Sequence, residues 1–108
     1  AHRILVVSAN DEQAVGAIKA ATSVDRQDDI FVGSQGGFTL SWPYLCGETD
    51  FKNFISTTAY FPDQYGATVV PALLDLIAGK KLPSTINIEH QVVNADNVTE
   101  FYPQACAS

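Results

Sequence analysis

The chain changes its hydrophobic period several times, and this feature constrains the fold more than any other. Residues 4–8 (ILVVS) form a short β-branched apolar run, which is typical of a strand covered on both faces. From Asn10 onward, apolar residues recur at helical spacing as far as Ala21. Strand patterns return at residues 28–37 and 53–61, and each is followed by a helical pattern. This alternation predicts an α/β fold, a three-layer parallel sheet with helices on both faces.

The second half of the chain predicts one long helix and a fourth strand. The helix opens at Pro62 and ends at Gly79, with Pro71 expected to remove a backbone hydrogen bond or to kink it. Residues 85–93 (TINIEHQVV) alternate in the manner of a strand. The helix has one apolar face, formed by Tyr65, Val69, Leu73, Leu74 and Ile77.

Length and charge narrow the function classes. The 108 residues favour one domain, and no apolar run is long enough to span a bilayer. Six basic against twelve acidic residues give a formal charge of −6, which opposes the electrostatic attraction behind most nucleic-acid binding. We therefore expect a soluble domain without a nucleic-acid partner, from which any export signal has been removed or was never part.

Candidate catalytic and metal-binding residues are few. Cys46 and Cys106 are the only cysteines, and their spacing fits no zinc or redox motif. A disulfide is compatible with an oxidising compartment, but the sequence does not indicate one, and we expect two unpaired thiols. Cys46 with His2 or His90 could form a thiol–imidazole pair, although nothing in the sequence places them together. We expect no catalytic residue, metal or cofactor.

Three strand-to-helix junctions carry polar or aromatic side chains. Asn10 and Asp11 follow the first strand, residues 34–37 (SQGG) the second, and Tyr60 and Phe61 the third. In open parallel sheets, ligands bind beyond the carboxyl ends of the strands, where such junctions meet. At the first junction one residue can cap the helix while the other faces a ligand. At residues 34–37, turn geometry is favoured over a phosphate cradle, because neither a GxGxxG nor a Walker pattern is present.

Five segments, in order, resemble the C-terminal lobe of type 1 periplasmic sugar-binding proteins, which serve ABC importers. They are SANDEQAVGAIKAA, DDIFVGSQGG, STTAYFPDQYG, LLDLIAGKKLP and INIEHQVVNADNVTEFYP. The resemblance implies that residues 1–108 form one lobe, with an N-terminal lobe missing. It also implies non-catalytic binding of a sugar or similar polar solute in a cleft between lobes, delivery to an ABC permease, and a bacterial periplasmic or extracellular location.

The resemblance assigns three ligand-binding residues by motif. Asn10 corresponds to the Asn of an Asn-Asp pair, Gln35 to the Asp of a VGxDG turn, and Tyr60 to a polar residue before a later Pro. Asp11 is then expected to cap the helix. Gln35 replaces a carboxylate, and Tyr60 replaces the Gln of ribose-type proteins. A carboxylate only accepts hydrogen bonds, whereas Gln both donates and accepts them, so the exchange removes a charge-assisted partner for two adjacent sugar hydroxyls and argues against familiar aldopentoses and aldohexoses as ligands.

Two other functions fit the same pattern. The effector-binding domain of a LacI-type transcriptional repressor shares the implied fold, although the AYFPDQYG and NVTEFYP segments favour the transport branch. A small flavodoxin-like enzyme or receiver domain is a third interpretation, but the chain has neither an acidic phosphorylation cluster nor a phosphate loop. An incomplete sheet would leave unpaired edges and a bare apolar face, through which a homodimer could form.

Overall fold

The computed structural model describes residues 1–106, and it confirms the predicted α/β class. Short 3₁₀ turns form at Gln27–Asp29 and Pro62–Gln64. In chain order the elements are β1 (Ile4–Val7), α1 (Asp11–Thr22), β2 (Ile30–Gly36), α2 (Trp42–Leu45), β3 (Phe54–Ala59), α3 (Tyr65–Ile77), β4 (Gln91–Val93) and α4 (Val98–Phe101).

The sheet has the order β1-β2-β3-β4, and its first three strands are parallel. β4 runs antiparallel to β3, with Ala59 opposite Gln91. The predicted strand over 85–93 is therefore too long, because only Gln91–Val93 joins the sheet. Parallel strands need a crossover that packs on the sheet. Here the chain leaves β3 and returns along its edge instead.

The core lies on one face of the sheet. Ala14 and Ile18 on α1 are buried against alternate residues of β2, such as Ile30 and Val32. This is the amphipathic helix that the spacing predicts, laid on the face to which every second strand residue points. The rest of the buried apolar cluster comprises Leu45, Phe51, Phe54, Ala59, Val93 and Val98.

The opposite face of the sheet is exposed. On β1, Leu5 and Val7 are 66% and 71% exposed, while the alternate residues Ile4 and Val6 pack partly against the core. Val92 on β4 is also exposed. Among residues 1–106, one of the two predicted helical layers is therefore present, and a row of apolar side chains marks the uncovered face.

Residues 60–90, here called the arm, extend away from the sheet. α3 has no buried residue, and its Leu74 and Ile77 are 61% and 82% exposed. The radius of gyration is 17.7 Å, against about 13 Å for a compact domain of this length. The predicted apolar face of α3 is present, and its Val69 and Leu73 face the returning segment of the arm. The helix and this segment enclose an apolar groove of about 240 Å³, lined by Thr68, Val69, Ala72, Leu73, Leu82, Ile86 and Ile88.

Cys46 and Cys106 form a disulfide, so the expectation of two unpaired thiols is wrong. Their Cα atoms lie 5.5 Å apart although 60 positions separate them in sequence. The C-terminal segment packs beside α2, where the rings of Trp42 and Tyr102 have centroids 5.0 Å apart. That tertiary contact brings the two thiols together, and sequence spacing alone does not reveal it.

None of the helices formed within residues 1–106 is long and apolar enough to cross a membrane.

Candidate functional site

Asn10, rather than Asp11, caps helix α1. The Asn10 backbone is extended, and its side-chain Oδ1 accepts a hydrogen bond from the Gln13 backbone N at 2.8 Å. Gln13 Oε1 in turn accepts a hydrogen bond from the Ala9 backbone N at 3.3 Å, a variant of the capping box. The prediction that Asp11 caps the helix is wrong, because Asp11 is the first residue inside α1 and points into the protein.

The Asp11 carboxylate joins both central strands to the turn that follows β2. It is 0% exposed. Its Oδ1 accepts hydrogen bonds from Ser34 Oγ at 2.5 Å and from Thr57 Oγ1 at 2.8 Å, and its Oδ2 accepts one from the Phe38 backbone N at 2.9 Å. The N-terminus of α1 also favours a negative charge at this position. Asp11 therefore fixes the carboxyl edge of the sheet, a role that neither interpretation of the first junction included.

The glycines after β2 serve close packing in the turn. Gly36 and Gly37 have φ of 128° and 76°, and Trp42 Nε1 donates a hydrogen bond to the Gly37 carbonyl at 3.2 Å. A Cβ at position 37 would lie 2.7 Å from both Ala59 Cβ and Tyr102 Oη. Backbone conformation and packing thus require glycine here, which agrees with the turn interpretation of this segment.

We predict that Gly37→Ala lowers the free energy of unfolding by about 3 kcal/mol, since it combines left-handed strain with overlap of packed atoms. Gly47→Ala is the matched control, because Gly47 has φ of 71° and no atom within 4 Å of an added Cβ. The control should lose only about 1 kcal/mol. Urea unfolding of both variants measures the difference, and equal losses would contradict the packing argument.

Two of the three predicted ligand-binding residues are in direct contact. Tyr60 Oη donates a hydrogen bond to Gln35 Oε1, and both side chains are half-buried. Alternation along β2 places Gln35 on the opposite side of the sheet from Ser34 and the Asp11 cluster. The imidazole of His90 packs against Tyr60 with ring centroids 4.5 Å apart. From the sequence, His90 is considered only as a partner for the Cys46 thiol, and not as a ligand-binding residue. Its only signal is its place immediately before β4.

Asn10 lies at the same sheet edge but forms no hydrogen bond with Gln35 or Tyr60 within residues 1–106. β1 and β2 pair as far as Val7 and Gly33, and the Ser8 backbone N donates a hydrogen bond to the Gly33 carbonyl at 3.0 Å. Asn10 follows two residues later. Its Oδ1 is engaged in the cap, whereas its Nδ2 makes no hydrogen bond with any described residue. The cap thus leaves an amide donor available at the edge.

The edge is rich in uncharged hydrogen-bonding groups. Gln35 Nε2 makes no hydrogen bond within the described residues, and the nearest buried carboxylate, that of Asp11, is fully engaged elsewhere. On the Asp11 side of the sheet, burial raises the pKa of the Tyr102 phenol, and the Asp63 and Asp11 carboxylates raise this pKa further. The arrangement can therefore bind an uncharged polar molecule through hydrogen bonds.

Other chemistry finds little support in the described residues. Within residues 1–106, no three His, Cys, Asp or Glu side chains cluster closely enough to hold a metal ion. The disulfide removes the thiol needed for a pair between Cys46 and a histidine. Gln35 and Tyr60 are half-buried, and they line neither the apolar groove of the arm nor the polar hollow of about 400 Å³ near α4. Phe61, Gln64, Glu89, Gln91, Glu100 and Phe101 line that hollow.

Three solved structures that share this fold are solute-binding or sugar-binding proteins. An ABC-transporter solute-binding protein from Mycobacterium smegmatis with bound glycerol has a TM-score of 0.75 and 19% identity, covering 91% of this chain and 33% of that chain. An ABC-transporter periplasmic solute-binding protein from Actinobacillus succinogenes with bound D-allose has a TM-score of 0.74 and 21% identity, covering 89% of this chain and 33% of that chain. A galactofuranose-binding protein has a TM-score of 0.72 and 18% identity, covering 94% of this chain and 34% of that chain. No family model and no curated protein sequence matches the chain.

The chain thus has the fold of one part of an ABC-transporter solute-binding protein, and it spans about a third of the length of those structures. For the fold, the predicted resemblance to one lobe of such a protein is confirmed.

Proposed function

We propose that this chain is one lobe of a non-catalytic protein that binds a sugar or similar polar solute in a cleft and delivers it to an ABC importer. The observation that carries the proposal is the contact of Gln35 with Tyr60 at the open carboxyl edge of the sheet. Ligands of open α/β sheets bind at that edge. Asn10 adds a free amide donor nearby. Binding proteins for D-allose and galactofuranose share the fold, which supports a sugar as the solute class.

A second lobe forms the opposite wall of the cleft in this proposal. The exposed apolar residues of the arm and of the uncovered sheet face support it, because soluble proteins seldom leave such extended apolar surfaces bare. The related structures are about three times as long as this chain, which leaves room for the missing lobe.

The proposed mechanism is closure around the solute. Solute bound between two lobes stabilises the closed form only to the extent that it binds that form more tightly than the open one. A permease that recognises the closed form then responds to solute. A periplasmic location follows from this role, and the disulfide supports an oxidising compartment.

We expect the isolated chain to bind sugars weakly, with dissociation constants in the millimolar range, because it supplies only one wall. Isothermal titration against glycerol, D-allose and methyl galactofuranoside measures the affinity. Micromolar affinity would contradict the need for a second lobe.

Two substitutions test the assigned residues in an NMR titration with the sugar that binds best. Gln35→Ala should weaken binding about fivefold, the effect of losing one hydrogen bond. Asn10→Asp keeps the cap acceptor and removes the amide donor, so it should weaken binding while leaving α1 stable. Glu12→Gln is the matched control for binding and should leave the affinity unchanged. Unchanged affinity in both site variants would contradict the proposed function.

A further inference from the structure

Tyr60 and His90 meet where the arm leaves the sheet and rejoins it. Ala59 on β3 pairs with Gln91 on the antiparallel strand β4. Tyr60 follows Ala59 and His90 precedes Gln91, so the two residues occupy the next opposed position of the ladder. Their ring centroids are 4.5 Å apart, and the ring planes are inclined by 42°. The pairing of β3 with β4 therefore fixes the position of His90 at the sheet edge.

The imidazole nitrogens of His90 are not used by the fold. Its side chain is exposed, and within residues 1–106 neither ring nitrogen makes a hydrogen bond. Tyr60, against which it packs, donates its hydroxyl hydrogen to Gln35. Gln35, Tyr60 and His90 thus form a continuous row from β2 to the start of β4. Each member of this row retains an unused hydrogen-bonding atom.

We infer that His90 contacts the solute and determines specificity, together with Gln35 and Tyr60. This inference rests on the proposed function. The ligand class is an uncharged polyhydroxylated molecule, because a neutral imidazole has one donor and one acceptor nitrogen, which complement a hydroxyl group. No carboxylate belongs to the row. Glu89, which precedes His90, lines the polar hollow with Gln91 instead. The ammonium group of an amino sugar therefore finds no anionic partner in the row.

A purely structural role for His90 makes a different prediction. If its ring only supports Tyr60, then phenylalanine at position 90 would preserve the ring contact and the affinity. If a ring nitrogen bonds the solute, phenylalanine keeps the support but loses the bond. His90→Phe therefore separates the two roles, and His90→Gln restores a side chain that both donates and accepts.

The experiment is an NMR titration of the 108-residue chain with D-allose, methyl galactofuranoside and D-glucosamine at constant pH. We expect the two uncharged sugars to shift the His90 imidazole ¹⁵N signals along with the Gln35 side-chain amide. His90→Phe should weaken binding about fivefold, the loss of one hydrogen bond, and His90→Gln should recover part of it. His2→Phe is the control and should leave affinity unchanged. D-glucosamine should bind more weakly than either uncharged sugar.

The outcomes separate this inference from the proposed function. If an uncharged sugar shifts Gln35 while the His90 ring signals stay fixed and His90→Phe binds as tightly, then His90 has no contact with the solute and the inference fails alone. Binding of D-glucosamine as tight as that of the uncharged sugars would refute the ligand class. If no sugar shifts Gln35 or Tyr60, the proposed function fails and the inference fails with it.

Discussion

Replacing Asp11 by Ala should lower the free energy of unfolding by about 3 kcal/mol, because it leaves three donors without their acceptor, two of them on buried side chains. Those donors are the Ser34 and Thr57 hydroxyls and the Phe38 backbone N–H. Asp11→Asn should lose less, since its side-chain oxygen can still accept from the hydroxyls while its amide group opposes the Phe38 N–H. Urea unfolding measures both changes.

The control for Asp11 is its neighbour Glu12, which is exposed in the same first turn of α1. Glu12→Ala should cost about 0.5 kcal/mol through the helix dipole alone. If Asp11→Ala and Glu12→Ala lose similar amounts, the buried carboxylate does not hold the sheet edge together, and the account of how that edge is fixed is wrong.

Reducing the disulfide should lower the free energy of unfolding by about 4 kcal/mol in the chain-entropy model, since Cys46 and Cys106 close a loop that spans 60 positions. The sheet is small and one of its faces is uncovered, so this loss is a large share of the total stability. Unfolding by urea with and without dithiothreitol measures it.

The variant carrying Cys46→Ser and Cys106→Ser should match the reduced protein and should no longer respond to dithiothreitol. Its response separates loss of the disulfide from other effects of the reductant. Oxidised and reduced chains that unfold at the same urea concentration would contradict a stabilising role for this link.

Local patterns in the sequence predict the elements whose partners lie close by. β1, α1, β2 and β3 appear within a few residues of their expected bounds, because strand and helix periodicities there match the faces that become buried. The position of the arm relative to the sheet was not predictable from local patterns. The apolar face of α3 indicates that another surface covers it but not which surface, and within residues 1–106 no residue of α3 is buried. The short antiparallel strand β4 was not predictable either, because its extent depends on its pairing with β3 and not on local sequence.

The candidate site was predicted less completely than the fold. Sequence order placed Gln35 and Tyr60 at one sheet edge, and their contact agrees with that placement. The sequence did not reveal that Asn10 rather than Asp11 caps the helix, since both side chains can do so and only the tertiary contacts of Asp11 with Ser34 and Thr57 decide between them. The place of His90 beside Tyr60 was not predicted, because it depends on the pairing of β4 with β3.

The most direct test of the central claim is a map of where an uncharged sugar binds, obtained from ¹H–¹⁵N NMR spectra of the labelled chain with and without millimolar D-allose or methyl galactofuranoside. The account predicts that the largest shifts occur at Asn10, Gln35 and Tyr60, on the carboxyl edge of the sheet. Shifts confined to the apolar groove of the arm or to the polar hollow near α4, or no shifts with any sugar, would contradict it.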